Sequence, residues 1–266
     1  MGRETDEEGL PVHRFFVEKK DIGHNDVVIR GQDYKHIAYS LRLEAGDRIA
    51  VCSPDQQNKF EYIVCLEDFS KNEVSGKIME RRKSKAEPDV EIHLAQALPK
   101  DKKMEQVVRR STEIGLTELI PLQTKRTIKK LKGKKEQIRV KRWQRIAREA
   151  AKQARRGLIP RIRSVATLKE LMAVSVEYDL ILIPATGENN QPIKKVLGSP
   201  VAKEIPQKVL IIIGPEGGFS EQEVDTVRQK KNAFSVNLGP RIMRTETAGP
   251  VVLALVLYEF GQLRKE

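Results

Sequence analysis

The texture of this sequence changes at Pro88, and that change constrains the fold more than any other feature of the chain. Up to about residue 78, short β-like runs follow one another: Arg14-Phe-Phe-Val17, Val27-Val-Ile29, Arg48-Ile-Ala-Val-Cys52, 59–65 and 73–78. Ala45-Gly-Asp47 and Ser53-Pro-Asp55 supply turn chemistry between them. A short helix fits 33–41, with Asp33 as N-cap. The first ten residues are polar and read as frayed. This pattern predicts a small β-barrel domain over 1–78, and a charged, proline-ended linker over 79–89. From 90 to 266, strand-length apolar runs alternate with helical patterns. The expected strands are 90–98, 118–122, 180–183, 209–213 and 235–238, and the expected helices 102–114, 137–156, 167–174, 221–230 and 248–263. Such alternation predicts an α/β domain with a mainly parallel sheet. Thr167 with Glu170 and Ser220 with Glu223 have capping-box spacing.

The net charge of +12 points to a polyanionic partner, and its distribution says more. Residues 100–163 carry 22 Lys+Arg against 6 Asp+Glu, so the remainder is slightly acidic. The longest apolar stretch, 250–258, is far short of a membrane span, and the N-terminus has no signal-peptide pattern. Cys52 and Cys65 are the only cysteines, and a reducing cytoplasm is the expected setting. His13, His24, His36 and His93 have no metal-ligand spacing. P-loop, dinucleotide-fingerprint and nucleophile-elbow motifs are all missing, so the sequence offers neither metal catalysis nor serine hydrolysis.

Two loops carry the candidate chemistry. Gly214-Pro-Glu-Gly-Gly218 follows the apolar run 208–213. Leu238-Gly-Pro-Arg-Ile-Met-Arg-Thr-Glu-Thr-Ala248 follows another short strand and leads into an apolar helix. Glycine lets backbone approach a ligand closely, and Pro215 and Pro240 stiffen the loops. Thr245 or Thr247 fits as N-cap of the last helix, with Glu246 near the positive end of its dipole and Pro250 in the first turn. Capping does not account for Arg241 and Arg244 in the same loop. Glu216 reads either as a functional acid or as a loop brace accepting backbone N–H bonds.

The long helix has two faces. Trp143, Ala147, Ala150 and Ala154 line one; Lys141, Arg145, Arg148, Lys152, Arg155 and Arg156 line the other. Glu149 is the only acid between 140 and 156, so i,i+4 pairs do not relieve the repulsion. A solvated face and a phosphate-binding face both fit; the missing acids favour phosphate.

The two glycine-loop motifs together resemble the ribosomal small-subunit RNA methyltransferase E family. Further similarity lies at Arg14-Phe-Phe-Val17, Lys103-Met-Glu105, Thr112-Glu-Ile-Gly115 and Arg142-Trp-Gln-Arg-Ile-Ala147 with Gln153 and Arg156, in order along nearly the whole chain. At Arg109-Arg110 the family pattern would have a Gln-Lys-like pair, and the basic character is kept. The resemblance implies a SPOUT-type α/β domain with a trefoil knot over 90–266, behind a PUA-like β-barrel, in a homodimer. It implies S-adenosylmethionine as cofactor and methylation of N3 of a specific uridine in 16S rRNA of the small ribosomal subunit. The implied cofactor site is Pro184, Ala185, Gly214, Pro215, Glu216, Gly217, Gly218, Leu238, Gly239, Ile242, Met243, Arg244, Thr245 and Thr247.

Uridine N3 must lose a proton before it can attack, so such a reaction needs a base, a cation for the developing oxyanion, or both. Arg244 or Arg241 fits the cation, and Glu246 the base or the group that orients the arginine. Arg14 and the basic helix face would bind RNA. Another RNA substrate (tRNA or 23S rRNA), or a non-catalytic ribosome-assembly role, are the rival readings.

Overall fold

The computed structural model describes residues 13–54, 60–128, 130–187, 189–199 and 205–263. The N-terminal stretch read as frayed lies outside them. Contacts divide the chain into two units, 1–87 with 151–159, and 88–150 with 160–266.

The first unit is built on one five-stranded sheet. Its strands are β1 (Arg14–Phe16), β2 (Asp26–Arg30), β3 (Arg48–Cys52), β4 (Phe60–Phe69) and β5 (Glu73–Lys83), in the order β1-β3-β4-β5-β2. Only β1–β3 is parallel. Alternating residues such as Val27 and Ile29, Ile49 and Val51, and Val64 and Leu66 turn to one face and bury there with Phe15 and Val74. Ile37, from the π-helical turn His36–Leu41 that follows α1 (Gly31–Lys35), closes that core.

Two expectations need correction in this unit. Residues 79–83, read as linker, are strand: Arg82 pairs with Glu61 and Lys83 with Phe60 across the β4–β5 ladder. Their charges suggested linker, but one face of a two-stranded extension stays in solvent and tolerates charge. Asp33 is not an N-cap. Arg30 precedes α1, and Asp33 lies inside it, accepting from Lys152 Nζ at 2.7 Å. β1 and β2 are the sheet's two edges, with no pairing between them among the described residues. Both cysteines are free thiols; burial first of all pushes Cys52 up to about 11, against the pull of Arg14.

The second unit is an α/β layer structure. Its strands are β6 (Glu91–Ala97), β7 (Glu118–Gln123), β8 (Arg161–Ile162), β9 (Ala166–Thr167), β10 (Leu180–Pro184), β11 (Gln191–Pro192), β12 (Lys208–Ile213) and β13 (Ala233–Asn237). They run in the order β11-β13-β10-β12-β6-β7-β8, with β9 also on β7, and every pair is parallel. The helices are α2 (Lys103–Ile114), α3 (Gly133–Gln153), α4 (Leu168–Ala173), α5 (Ile193–Leu197), α6 (Glu221–Arg228) and α7 (Thr245–Glu259).

Central strands buried on both faces need continuous apolar sequence, and β12 supplies it as Val209-Leu-Ile-Ile-Ile213. Ile181, Ile183, Leu210 and Ile212 pack with Leu168 and Leu171 of α4 and Val224 and Val227 of α6. α7 packs with α2 and lies against β6 and β12. Its apolar residues surround the axis, as burial of most of its circumference requires. Both capping boxes form, Thr167 with Glu170 and Ser220 with Glu223.

α3 starts at Gly133, four residues before the expected 137. Lys134, Lys135 and Glu136 are good helix formers, and Glu136 accepts from the Val165 amide at 2.9 Å, which fixes the first turn. The helix ends at Gln153, before the expected 156, and Arg155 takes a left-handed conformation at φ 54°.

Candidate functional site

Strands β13, β10, β12 and β6 are adjacent and parallel, so the loops that leave their carboxyl ends gather along one edge of the sheet. Open α/β sheets bind ligands at such an edge. The loops are 238–244 after β13, 185–190 after β10, 214–220 after β12 and 98–102 after β6.

Side chains and backbone stitch these loops together. Gln96, wholly buried on β6, donates from Nε2 to Thr245 Oγ1 at 2.9 Å, and Thr245 Oγ1 donates to the Gly214 carbonyl at 2.6 Å. The Ala185 amide donates to the Val236 carbonyl at 3.1 Å. Arg126 donates to the carbonyls of Gly217 and Phe219 at 2.7 and 3.2 Å. Gly218, at φ 68°, closes a turn by donating to the Pro215 carbonyl at 2.8 Å; a side chain would strain it there. At Gly214 a Cβ would stand 3.1 Å from the Phe219 ring, so a side chain there would need that ring to give by a few tenths of an ångström.

Thr245 therefore does not cap α7. The residue before the helix is Arg244, with no capping side chain, and Thr245 spends its hydroxyl on the cross-loop link. Thr247 does not cap it either, and Pro250 falls inside the helix, past its first turn. Glu216 is the loop brace. It accepts from the Lys100 amide at 3.0 Å, and Lys103 Nζ lies 3.7 Å away. Burial would raise its pKa, but the amides of Lys100 and of Glu216 itself, with the charges of Lys103 and Lys100, hold it below the usual carboxylate range. Lys103 also reaches Glu246, 3.3 Å from Oε1, while the buried Oε2 has no hydrogen-bond partner among the described residues.

Arg241, Ile242 and Arg244 are exposed on the same loop, and Ile242 is 89% accessible. Among the described residues the backbone of 239–243 makes no hydrogen bond to other backbone; the Gly239 amide reaches only Asn237 Oδ1, at 3.4 Å. Leu238, Met243, Pro184, Ala185 and Thr247 are half-buried around it, and Pro215 is buried. The edge thus offers unspent amides and carbonyls beside apolar side chains, two exposed guanidinium groups and a carboxylate with acceptor capacity.

Residues 86–257 match the family model described as RNA methyltransferase domain. The chain is 33% identical to the ribosomal RNA small subunit methyltransferase E of Bacillus subtilis, over 95% of this chain and 99% of that one. The chain belongs to the ribosomal RNA small subunit methyltransferase E family. The Mesomycoplasma hyopneumoniae enzyme of that name is 32% identical, over 91% of this chain and 97% of its own. A Legionella pneumophila methyltransferase solved with bound SAM superposes with a TM-score of 0.76 at 27% identity, covering 92% of this chain and 96% of that one.

The basic residues of this methyltransferase E chain divide into two groups. Lys141 and Arg145 are exposed on α3 and Arg148 is half-buried there. Arg14, Lys152 and Arg156 are engaged inside the first unit. Arg14 pairs with Glu61 at 2.5 Å and donates to Cys52 Sγ at 3.0 Å and to the Arg156 carbonyl at 3.3 Å. Arg156, only 2% accessible, pairs with Glu87 at 2.6 Å. Glu87 also accepts from the Gly157 and Leu158 amides. Arg155 and Arg156 lie beyond the helix end, so the six-residue stripe expected on one face is not formed. The left-handed Arg155 breaks the helical spacing before the stripe is complete.

Gln96, Lys103 and Lys100 also hold these loops together, although the sequence offers no reason to place them here. Gln96 left one signal, an amide in a strand core that is apolar apart from His93, Ile92-His-Leu-Ala-Gln-Ala97. At the opposite, amino end of the sheet, buried His93 lies 3.1 Å from the Tyr178 hydroxyl and 3.4 Å from Glu118. Burial, with Lys208 and Arg163 nearby, holds its pKa down to about 3, so the Glu118 contact is with a neutral ring and not an ion pair. Among the described residues no three metal-ligating side chains cluster, and no helix is long and apolar enough to cross a membrane.

Proposed function

We propose that this protein methylates N3 of a specific uridine in 16S rRNA of the small ribosomal subunit, with S-adenosylmethionine as methyl donor. The observation that carries the reading is the meeting of Arg244, Glu246 and Lys103 with the glycine loops at the carboxyl edge of a parallel sheet. The donor set fits the cofactor. Adenine needs one donor and one acceptor on its edge and an apolar contact on its face. The unspent backbone of 239–243 meets the first need, and Leu238, Ile242 and Met243 the second. Pro184, Ala185, Gly214, Pro215, Glu216, Gly217, Gly218, Gly239, Thr245 and Thr247 complete the enclosing loops. Bound there, the cofactor supplies an electrophilic methyl on a sulfonium.

The protein's own groups prepare the acceptor. Glu246 Oε2 takes the N3 proton, the role to which its unsatisfied acceptor is suited. Lys103 holds the other oxygen in place. Arg244, with Arg241 beside it, balances the negative charge that spreads onto the uracil oxygens. Loop positioning supplies the rest, because an in-line displacement depends on alignment.

Several finer features belong to this proposal: a trefoil knot threaded by the 185–190, 214–220 and 238–244 loops, a PUA-like barrel completed from the five-stranded sheet, a homodimer and a cytoplasmic setting. Support for the knot lies in the strand order. The chain lays down β10, inserts β12 between β10 and β6, crosses to β13, and returns in α7 to the β6–β12 centre.

Nucleoside mass spectrometry of rRNA from cells with and without the gene tests the reading. Loss of 3-methyluridine from 16S rRNA is expected. Intact 3-methyluridine there, with a uridine methylation lost from 23S rRNA or tRNA, would move the assignment to that RNA.

A further inference from the structure

The turn that leaves β7, Thr124-Lys-Arg-Thr127, stands against the glycine loop after β12. Threonine at both ends closes it through the hydroxyls. The Thr124 amide donates to Thr127 Oγ1 at 3.0 Å, the two hydroxyls lie 2.9 Å apart, and the Thr127 amide donates to the Thr124 carbonyl at 3.2 Å. The turn is also fastened to α6. The Lys125 amide donates to Glu223 Oε1 at 2.8 Å, while Oε2 of the same carboxylate accepts from the Ser220 amide and hydroxyl at 2.8 and 2.9 Å. Lys125 Nζ donates to Gln222.

Arg126 therefore reaches the glycine loop from a fixed base. Its aliphatic stem lies over Gly217, where a Cβ would stand 3.6 Å from Cδ. Its Nη1 donates to the carbonyls of Gly217 and Phe219, at 2.7 and 3.2 Å. Those carbonyls flank the Gly218–Phe219 peptide, the part of the loop with the fewest other ties. Glu216 and Thr245 hold the first half of the loop, through the Lys100 amide and the Gly214 carbonyl. In the second half, Gly217 and Gly218 have no side chain to anchor. Neither the Phe219 amide nor the Gly218 carbonyl bonds to other backbone among the described residues.

Two adjacent glycines allow many backbone conformations, and a ligand that requires one of them loses affinity in proportion to its rarity. We propose that Arg126 is a positioning residue for S-adenosylmethionine: by fixing the carbonyls on either side, it holds the Gly218–Phe219 peptide in the orientation that the cofactor meets. Its effect is on the population of the binding-competent loop, and no proton or charge of the reaction passes through it. The inference rests on the cofactor placement proposed above. The competing role for an exposed arginine in an rRNA methyltransferase is a phosphate contact, and the two roles change different measurements.

S-adenosylmethionine is titrated calorimetrically, without RNA, into the full chain and into Arg126→Ala, Arg126→Lys and Gly218→Ala. Arg126→Ala is expected to weaken binding about tenfold, the scale of one charge-assisted hydrogen bond. Arg126→Lys should recover most of it, because an ammonium can donate to both carbonyls. The urea midpoint of Arg126→Ala should match wild type, since water replaces the guanidinium on an exposed loop. In methyl transfer, KM for S-adenosylmethionine should rise about tenfold, with KM for rRNA and the salt dependence of RNA binding unchanged. Gly218→Ala strains the same loop at φ 68° and should also weaken cofactor binding.

Wild-type affinity in Arg126→Ala with weakened binding in Gly218→Ala overturns the proposal and keeps the cofactor at these loops. Wild-type affinity in both overturns the proposal together with the cofactor placement. A raised KM for rRNA and a shallower salt slope, with cofactor affinity unchanged, makes Arg126 a phosphate contact and overturns the proposal too. Weaker binding that comes with a lower urea midpoint and no recovery by lysine assigns Arg126 to folding instead. Cofactor affinity is read without RNA, so failure of the uridine assignment leaves a positive result standing.

Discussion

Lys103 Nζ stands 3.3 Å from Glu246 Oε1 and 3.7 Å from Glu216 Oε1, so one ammonium joins the first turn of α7 to the glycine loop after β12. Both carboxylates are partly shielded from water, where such a link acts more strongly than on an open surface. Lys103→Met is expected to slow single-turnover methylation by about 10- to 100-fold, with Lys103→Arg recovering most of it. A wild-type rate in the methionine variant would remove Lys103 from the mechanism.

The base and the cation can be separated by pH. Glu246→Gln is expected to lower the single-turnover rate by about 100-fold and to abolish the acid limb of its pH profile. Arg244→Ala should lower the rate by a similar factor while keeping the profile's shape. Wild-type rates and profiles in both variants would contradict these roles.

The Gln96–Thr245–Gly214 link is a stability element as well as a brace. Thr245→Val removes the hydroxyl and leaves a buried donor on Gln96 and an acceptor on Gly214 unpaired. The expected cost is about 1–3 kcal/mol, seen as a lower urea midpoint with unchanged slope.

The two classes of basic residue should behave differently. Lys141→Ala with Arg145→Ala is expected to reduce the slope of log K against log salt for RNA by about 1.4, with normal stability. Glu87→Ala should cost about 3–5 kcal/mol, because it removes the carboxylate that pairs with the buried Arg156 charge. Denaturation midpoints and RNA binding at several salt concentrations, measured on the same samples, distinguish the two.

His93 makes stability depend on acid. Its folded-state pKa, about 3, lies below the ordinary 6.5, so the unfolded chain binds a proton that the folded chain refuses. The contribution is complete above about pH 6.5 and is lost as pH falls toward 3, by up to about 1.4 kcal/mol per pH unit. Glu118, raised mainly by burial, works in the opposite sense near its own range. His93→Gln should flatten the fall in urea midpoint between pH 6.5 and 4; an unchanged fall would show that other groups carry it.

The sequence by itself determined the class of the second unit and where its glycine loops fall. A run such as Val209-Leu-Ile-Ile-Ile213, short and rich in β-branched residues, reads as a strand covered on both faces, and glycine loops after parallel strands fall at the carboxyl edge wherever such a sheet forms. Capping boxes were legible because their spacing is local. Tertiary structure alone decided which charged and hydroxyl groups are spent. Arg156 reads as one more surface cation until the chain stops its helix at Gln153 and buries the guanidinium on Glu87. Thr245 reads as a cap until Gln96, 149 residues away, takes its hydroxyl. Those outcomes depend on partners distant in sequence, and a side chain's own identity carries no record of which partner the fold will bring.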